Sequence, residues 1–165
     1  MIRSTGARIA LLVLAAGGMV MSGVLTRSYY LHNIAGQSTS ACAINEYVDC
    51  DRVSESAFAE IAGMPISVLG FALHAMFFLA FGLGFARKKG AEDGTLDVWM
   101  VLFGAAAALV SLILAAISLL VIQALCLFCT ILQIINLTMF VLMVTSWRGD
   151  LRESMRSLGL GAILS

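Results

Sequence analysis

Four long apolar stretches, separated by polar ones, organise the chain. They run over about 7–25, 65–86, 98–121 and 127–147, each close to the ~20 residues that a membrane-spanning helix needs. Residues 98–122 and 130–147 hold no charged side chain. Pro65 suits the first turn of the second stretch, because that turn needs no N–H from it. Trp99, Trp147, Tyr29 and Tyr30 fall near the ends of stretches, as aromatic belts do. Gly82 and Gly84 most simply allow close helix packing. The one sizeable polar segment is 26–64. Within it, Asp51–Ile61 places Val53, Ala57 and Ile61 on one stripe at helical spacing, which predicts a short amphipathic helix lying on the bundle. The expected fold is therefore all-α: an integral membrane four-helix bundle, one domain over 1–165, with an outer loop and a short amphipathic capping helix.

Composition agrees. Hydrophobic residues make up 61% of the chain and charged ones 12%, against roughly 45–50% and 25% in soluble domains. The formal net charge is zero, so no nucleic-acid partner is indicated; the lipid bilayer is the expected surrounding. The basic residues give the orientation. Arg3 and Arg8 precede the first stretch, Arg87, Lys88 and Lys89 follow the second, and Arg148, Arg152 and Arg156 follow the fourth. Only Arg27 and Arg52 lie on the other side. The positive-inside rule then predicts a multi-pass protein of the plasma (inner) membrane with both termini cytoplasmic. The apolar run Ile9–Leu25 is long for a signal peptide and no clear Ala-x-Ala site follows it, so it reads as a span.

That topology brings all four cysteines to the outer face, where disulfides persist. Cys42 and Cys50 lie in the polar loop, and Cys126 and Cys129 form a Cys-x-x-Cys at the entrance to the fourth span. Four cysteines allow three pairings, and spacing alone does not choose among them. Two thiols at i and i+3 lie on one helix face, near enough for an exchangeable disulfide. A helix N-terminus favours the thiolate. Placed at the membrane surface, such a pair can meet a lipid-soluble electron carrier and a soluble protein. Buried cysteines are also often inert small hydrophobes, and a four-cysteine zinc site would require tight tetrahedral closure of loop on bundle; no metal is expected. His74, Gln133 and Asn136 fall within spans, where polar side chains are candidates for function or for interhelical hydrogen bonds. Haem would need a second ligand, and the only other histidine, His32, lies in the loop.

The pattern Cys42-x7-Cys50, then DRVSES, GMPISVLG over 63–70, CLFCT, and Asn136 seven residues beyond Cys129 resembles the vitamin K epoxide reductase family over about residues 9–147. The short GMPIS segment looks more like the bacterial and archaeal members. The resemblance implies a quinone-linked thiol oxidoreductase serving disulfide formation in exported proteins. It implies a quinone as cofactor, of the ubiquinone, menaquinone or vitamin K type. Cys129 matches the cysteine beside the quinone, Cys126 its exchange partner, Cys50 the shuttle and Cys42 the outer cysteine reduced by a thioredoxin-like protein. Many bacterial members carry that protein as a fused domain; this chain ends too soon to hold one, so a separate extracytoplasmic partner is expected. Ser56 matches a loop serine near the quinone pocket, and His74, Gln133 and Asn136 are further candidates to line it. Gln133 stands where animal members have a tyrosine, and Ile66 where they have a pocket asparagine, which favours simple quinone reduction over epoxide reduction. Two other readings compete. One is the unrelated bacterial four-helix quinone-linked oxidase, whose two cysteine pairs come in the reverse order. The other is a non-enzymatic tetraspan protein with a structural loop disulfide.

Overall fold

The computed structural model describes residues 5–36, 47–86 and 94–146. Its elements are α1 (Thr5–Asn33), α2 (Cys50–Ser54), a two-stranded hairpin of β1 (Glu60–Ile61) and β2 (Met64–Pro65), α3 (Ile66–Ala86), α4 (Gly94–Ile117) and α5 (Leu127–Ser146). A π-helical turn, Ser118–Ile122, continues α4. Among the described residues, four helices are long and apolar enough to cross a membrane, with mean hydropathies of 2.1 to 2.8. A lipid-exposed chain must satisfy its backbone internally, and a helix does so. The expected all-α membrane bundle is thus the observed fold.

The core follows from one stripe of α1. Leu11, Ala15, Gly18 and Ser22 are buried at helical spacing. The first two meet Phe77 and Phe81 of α3 and Met139 and Met143 of α5. Small residues on this stripe let the backbones approach, since helices in lipid gain by packing rather than by hydrophobicity. The tightest point is Gly18, where a Cβ would overlap the His74 imidazole of α3. Gly104 in α4 serves the same end; a Cβ there would lie 2.6 Å from Met143 Cε. Gly82 does not have this role: a Cβ would make only ordinary contact with Leu12, at 3.9 Å. Helix α1 packs along α3 and α5, and α4 packs along α5. α3 and α4 share no comparable contact, and a cavity occupies the space between them.

Several boundaries differ from the sequence-based expectation. The first helix continues eight residues past Leu25, to Asn33. Its 29 residues give a rod of about 44 Å, against ~30 Å of hydrocarbon. Hydropathy ends where lipid ends, but backbone hydrogen bonding does not. The expected helix over Asp51–Ile61 is confined to Cys50–Ser54. Ser56 ends it by bonding back to Val53 O through both Oγ (2.7 Å) and N (3.3 Å), the competition with the helix ladder that serine offers. Glu60 and Ile61 then pair with Pro65 and Met64 across a turn in which Ala62 (φ 53°) and Gly63 (φ 77°) are both left-handed. Two such residues form the tight turn that matches strand twist. Ala57 and Ile61 are exposed, so the apolar stripe does not form. Pro65 closes the hairpin instead of starting the helix. The fourth span ends at Ser146, and Trp147 lies outside the described residues, as does the 87–93 connection.

Phe77 is 1% exposed, whereas its neighbour Phe78 faces outward at 39%. Phe77→Ala should cost about 3 kcal/mol and lower the thermal midpoint of the detergent-solubilised protein. Phe78→Ala should shift it little. Equal shifts would refute this assignment of the core face.

Candidate active site

The turn that leads into α5 sets the first thiol. Gln123 takes a left-handed conformation (φ 55°) and ends the π-helical turn. Ala124 N and Ser118 Oγ then tie the connection back, to Ser118 O and Ala124 O respectively. Leu125 forms a parallel bridge with Val48: Leu125 N donates to Tyr47 O (2.7 Å), and Asp49 N donates to Leu125 O (3.1 Å). These two hydrogen bonds bind the residues just before Cys50 to the residue just before Cys126.

Cys126 occupies the N-cap of α5. Its Sγ accepts from Cys129 N at 3.2 Å, and its carbonyl accepts from Thr130 N at 2.9 Å and Thr130 Oγ1 at 3.0 Å. A sulfur here replaces the oxygen that Ser, Thr, Asp or Asn would supply. The thiol is 1% exposed, and both Cys126 and Cys129 are free. The Cys126 thiol ionises below its ordinary value of 9.0. The main cause is the hydrogen bond from the Cys129 thiol. The N–H groups of Cys129 and Phe128 add to it, and burial opposes it.

Cys50 opens α2, whose N-cap Asp49 accepts from Asp51 N (3.0 Å) and Arg52 N (3.2 Å). Cys50 is 6% exposed and packs against Cys126, with Leu25, Val53, Phe128 and Cys129 around the two. Its sulfur is engaged in a disulfide. Cys42 lies outside the described residues.

The part of α1 beyond the bilayer acts as a post for this cap. His32 Nε2 donates to Glu55 Oε1 (2.7 Å), and its Nδ1 stands 4.0 Å from Asp51 Oδ1. Tyr29 Oη donates to Glu60 Oε2 at 2.6 Å. One helix thus grips both α2 and the hairpin. Sequence reasoning took Tyr29 as an interfacial aromatic and His32 as a loop residue, and gave neither a part in holding the cap. The signal was there in the helical spacing of two polar side chains just past an apolar run, opposite a loop rich in acids.

Beneath the cap lies a cavity of about 600 Å³ between α3, α4 and α5, within the range of ligand pockets. Cys126, Cys129, Gln133 and Asn136 line it from α5 and its cap, Ser56 from the roof, Ile66 from α3 and Ser111 from α4. The remaining wall is largely aliphatic, with Phe58 and Phe103. His74 does not line it. The ring is fully buried behind the wall, with Nδ1 2.7 Å from Gly70 O. Ser56 Oγ reaches the cavity while donating to Val53 O. A largely apolar chamber with a few polar groups and two cysteines in its lining suits a lipid-soluble molecule that carries polar atoms.

A family model described as the vitamin K epoxide reductase family matches residues 9–144. The chain belongs to the vitamin K epoxide reductase family. No curated protein matches it. The family match runs from the first turns of α1 nearly to the end of α5, and so takes in the cap, both cysteine pairs and the cavity. Membership in the vitamin K epoxide reductase family carries a quinone-linked redox function, and the four spans make this a multi-pass membrane protein.

Two outcomes test this geometry. Thiolate absorbance of Cys126, followed against pH in the reduced protein, should rise at lower pH than for an ordinary thiol. Cys129→Ala removes the main donor and should move the rise to higher pH; an unmoved curve would exclude the Cys129 thiol as the cause. His32→Ala should speed tryptic cleavage after Arg52 about two- to fivefold, as expected for losing hydrogen bonds worth ~0.5–1 kcal/mol at a partly exposed site. An unchanged rate would mean that the clasp does not hold the cap.

Proposed function

We propose that the protein is a quinone-linked thiol oxidoreductase that supports disulfide formation in exported proteins. Electrons enter from a separate thioredoxin-like protein at the outer face of the plasma membrane. Its dithiol reduces the Cys42–Cys50 disulfide and is itself oxidised. The Cys50 thiolate then attacks Sγ of Cys126 in an oxidised Cys126–Cys129 pair, releasing Cys129 as a thiol. Cys42 resolves the mixed disulfide, which restores Cys42–Cys50 and leaves Cys126 and Cys129 reduced. The reduced pair passes two electrons and two protons to a quinone and becomes a disulfide again.

The observation that carries this reading is the succession of three cysteines from cap to cavity. Cys50 packs on Cys126, the Cys126 sulfur accepts a hydrogen bond from Cys129 N, and Cys129 lines the cavity. Free Cys126 and Cys129 beside a bonded Cys50 match the moment between the last exchange and oxidation by quinone. Exchange needs a thiolate within reach, and a lowered Cys126 ionisation also makes Cys126 a better leaving group. Ser56, Gln133 and Asn136 line the cavity and would supply polar contacts to a bound quinone, and Cys129, also in the lining, would stand against its ring. Gln133 and Ile66 in the wall favour a quinone of the ubiquinone, menaquinone or vitamin K type over an epoxide. The basic residues near 3–8, 87–89 and 148–156 support a topology with both termini in the cytoplasm.

Quinone reduction by the purified protein, driven by dithiothreitol or a reduced thioredoxin-like protein, tests the reading. Cys126→Ala and Cys129→Ala should both fall to the uncatalysed rate. Cys50→Ala should lose turnover with the protein reductant and keep part of it with dithiothreitol. Undiminished turnover in Cys129→Ala, or none in the unaltered protein with several quinones, would overturn it and leave a structural loop disulfide to explain.

A further inference from the structure

The His74 imidazole is fully buried and wedged against Gly18 of α1, where a Cβ could not fit. Its Nδ1 lies 2.7 Å from the Gly70 carbonyl oxygen, which can only accept, so Nδ1 carries the proton. An unpaired cation at this depth in a bilayer is costly, and the ring is neutral. Its Nε2 is then a bare lone pair, and this atom is buried without a hydrogen-bond partner. Buried acceptors normally find a donor.

The Asn136 side chain of α5 lies within hydrogen-bonding range of this ring. Its Nδ2 donates to Ser111 Oγ at 2.9 Å, which leaves its carbonyl oxygen as the atom available to the His74 lone pair. Two acceptors facing each other repel. Turning the Asn136 amide end for end removes the conflict. Ser111 Oγ–H then donates to Asn136 Oδ1, and one Nδ2–H donates to His74 Nε2. The second Nδ2–H remains for the cavity, which both Asn136 and Ser111 line.

We propose that His74 is a positioning residue that holds the Asn136 amide in this turned orientation, so that the cavity wall offers a quinone carbonyl an N–H donor. The proposal rests on the quinone-reductase reading and adds a direction to it. A quinone carbonyl only accepts hydrogen bonds, whereas the quinol hydroxyl it becomes also donates. An amide fixed as donor favours substrate over product. Its bond strengthens as negative charge builds on the oxygen during reduction. Without His74 the amide is free to present its carbonyl oxygen, which repels quinone and attracts quinol.

Two experiments test this on the full chain in detergent. The first needs no activity. The protein has two histidines, His32 and His74, so histidine labelled with nitrogen-15 gives an assignable spectrum, with His32→Gln identifying the His32 signals. His74 should appear as the neutral ring protonated at Nδ1 with a hydrogen-bonded Nε2, and Asn136→Ala should move the Nε2 signal to its unbonded position. Protonation at Nε2, or no response to Asn136→Ala, would overturn the proposal. The second uses a short-chain ubiquinone and its quinol, with dithiothreitol as reductant. His74→Phe should raise KM for the quinone about tenfold while the quinol inhibition constant stays or falls, and His74→Gln, which keeps an acceptor, should recover most of the loss. Equal weakening of quinone and quinol would assign His74 a packing role and overturn the proposal. An unaltered protein that reduces no quinone would instead sink the reductase reading, with the nitrogen spectrum still deciding the orientation of Asn136.

Discussion

Two backbone hydrogen bonds between Leu125 and the residues at 47 and 49 hold the site together. A loop at the end of a membrane bundle has no lipid to order it and must be fastened by its own polar groups. Here the fastening joins the two segments that carry the chemistry, within three residues of Cys50 on one and one residue before Cys126 on the other. Cys50 and Cys126 are therefore neighbours by main-chain geometry, and their side chains need only complete a contact that the backbone has arranged. The clasp from α1 works at the far end of the same cap, through His32 and Tyr29. A short helix of five residues could not hold its place alone; fixed at both ends, it presents Cys50 inward.

The bundle beneath is uneven for a reason that serves the site. Helix α1 fills the centre with small residues and draws α3 and α5 close, while α4 rests on α5 and stands off from α3. In water such a gap would collapse under the hydrophobic effect. In a membrane that drive is absent, because lipid chains are as apolar as the helix faces. A roomy apolar chamber beside a tightly packed core is thus compatible with a stable protein. The π-helical turn at the end of α4 and the left-handed Gln123 place Ala124 and Leu125 beneath the cap.

Much of this was legible in the sequence where physics acts through one residue at a time. Apolar runs located all four spans, since lipid penalises each charge separately. The Cys-x-x-Cys was visible at the mouth of the last span for the same reason. The cap was not legible. Its helix stops at Ser54 because Ser56 bonds back to Val53 and because Glu60 and Ile61 find strand partners across a left-handed turn, and both depend on contacts that spacing does not encode. The extension of α1 was missed because hydropathy marks the membrane boundary and not the helix end. His74 looked like a cavity residue by its depth in the span, yet the side of α3 on which it sits turns it toward Gly18 of α1. Asn136 and Gln133, on α5, face the chamber.

The sulfur of Cys126 caps a helix, and this joins secondary structure to electron transfer. In the free form it accepts the Cys129 N–H across the first turn of α5. A sulfur bound in a disulfide carries less negative charge and is a poorer acceptor, so oxidation weakens the cap. A good N-cap is worth about 1 kcal/mol, and in a two-electron couple that corresponds to roughly 20 mV. The start of α5 thereby favours the reduced pair and shifts its potential upward. Electrons are drawn more readily from the outer cysteines, and the step to an oxidant in the membrane becomes correspondingly less downhill.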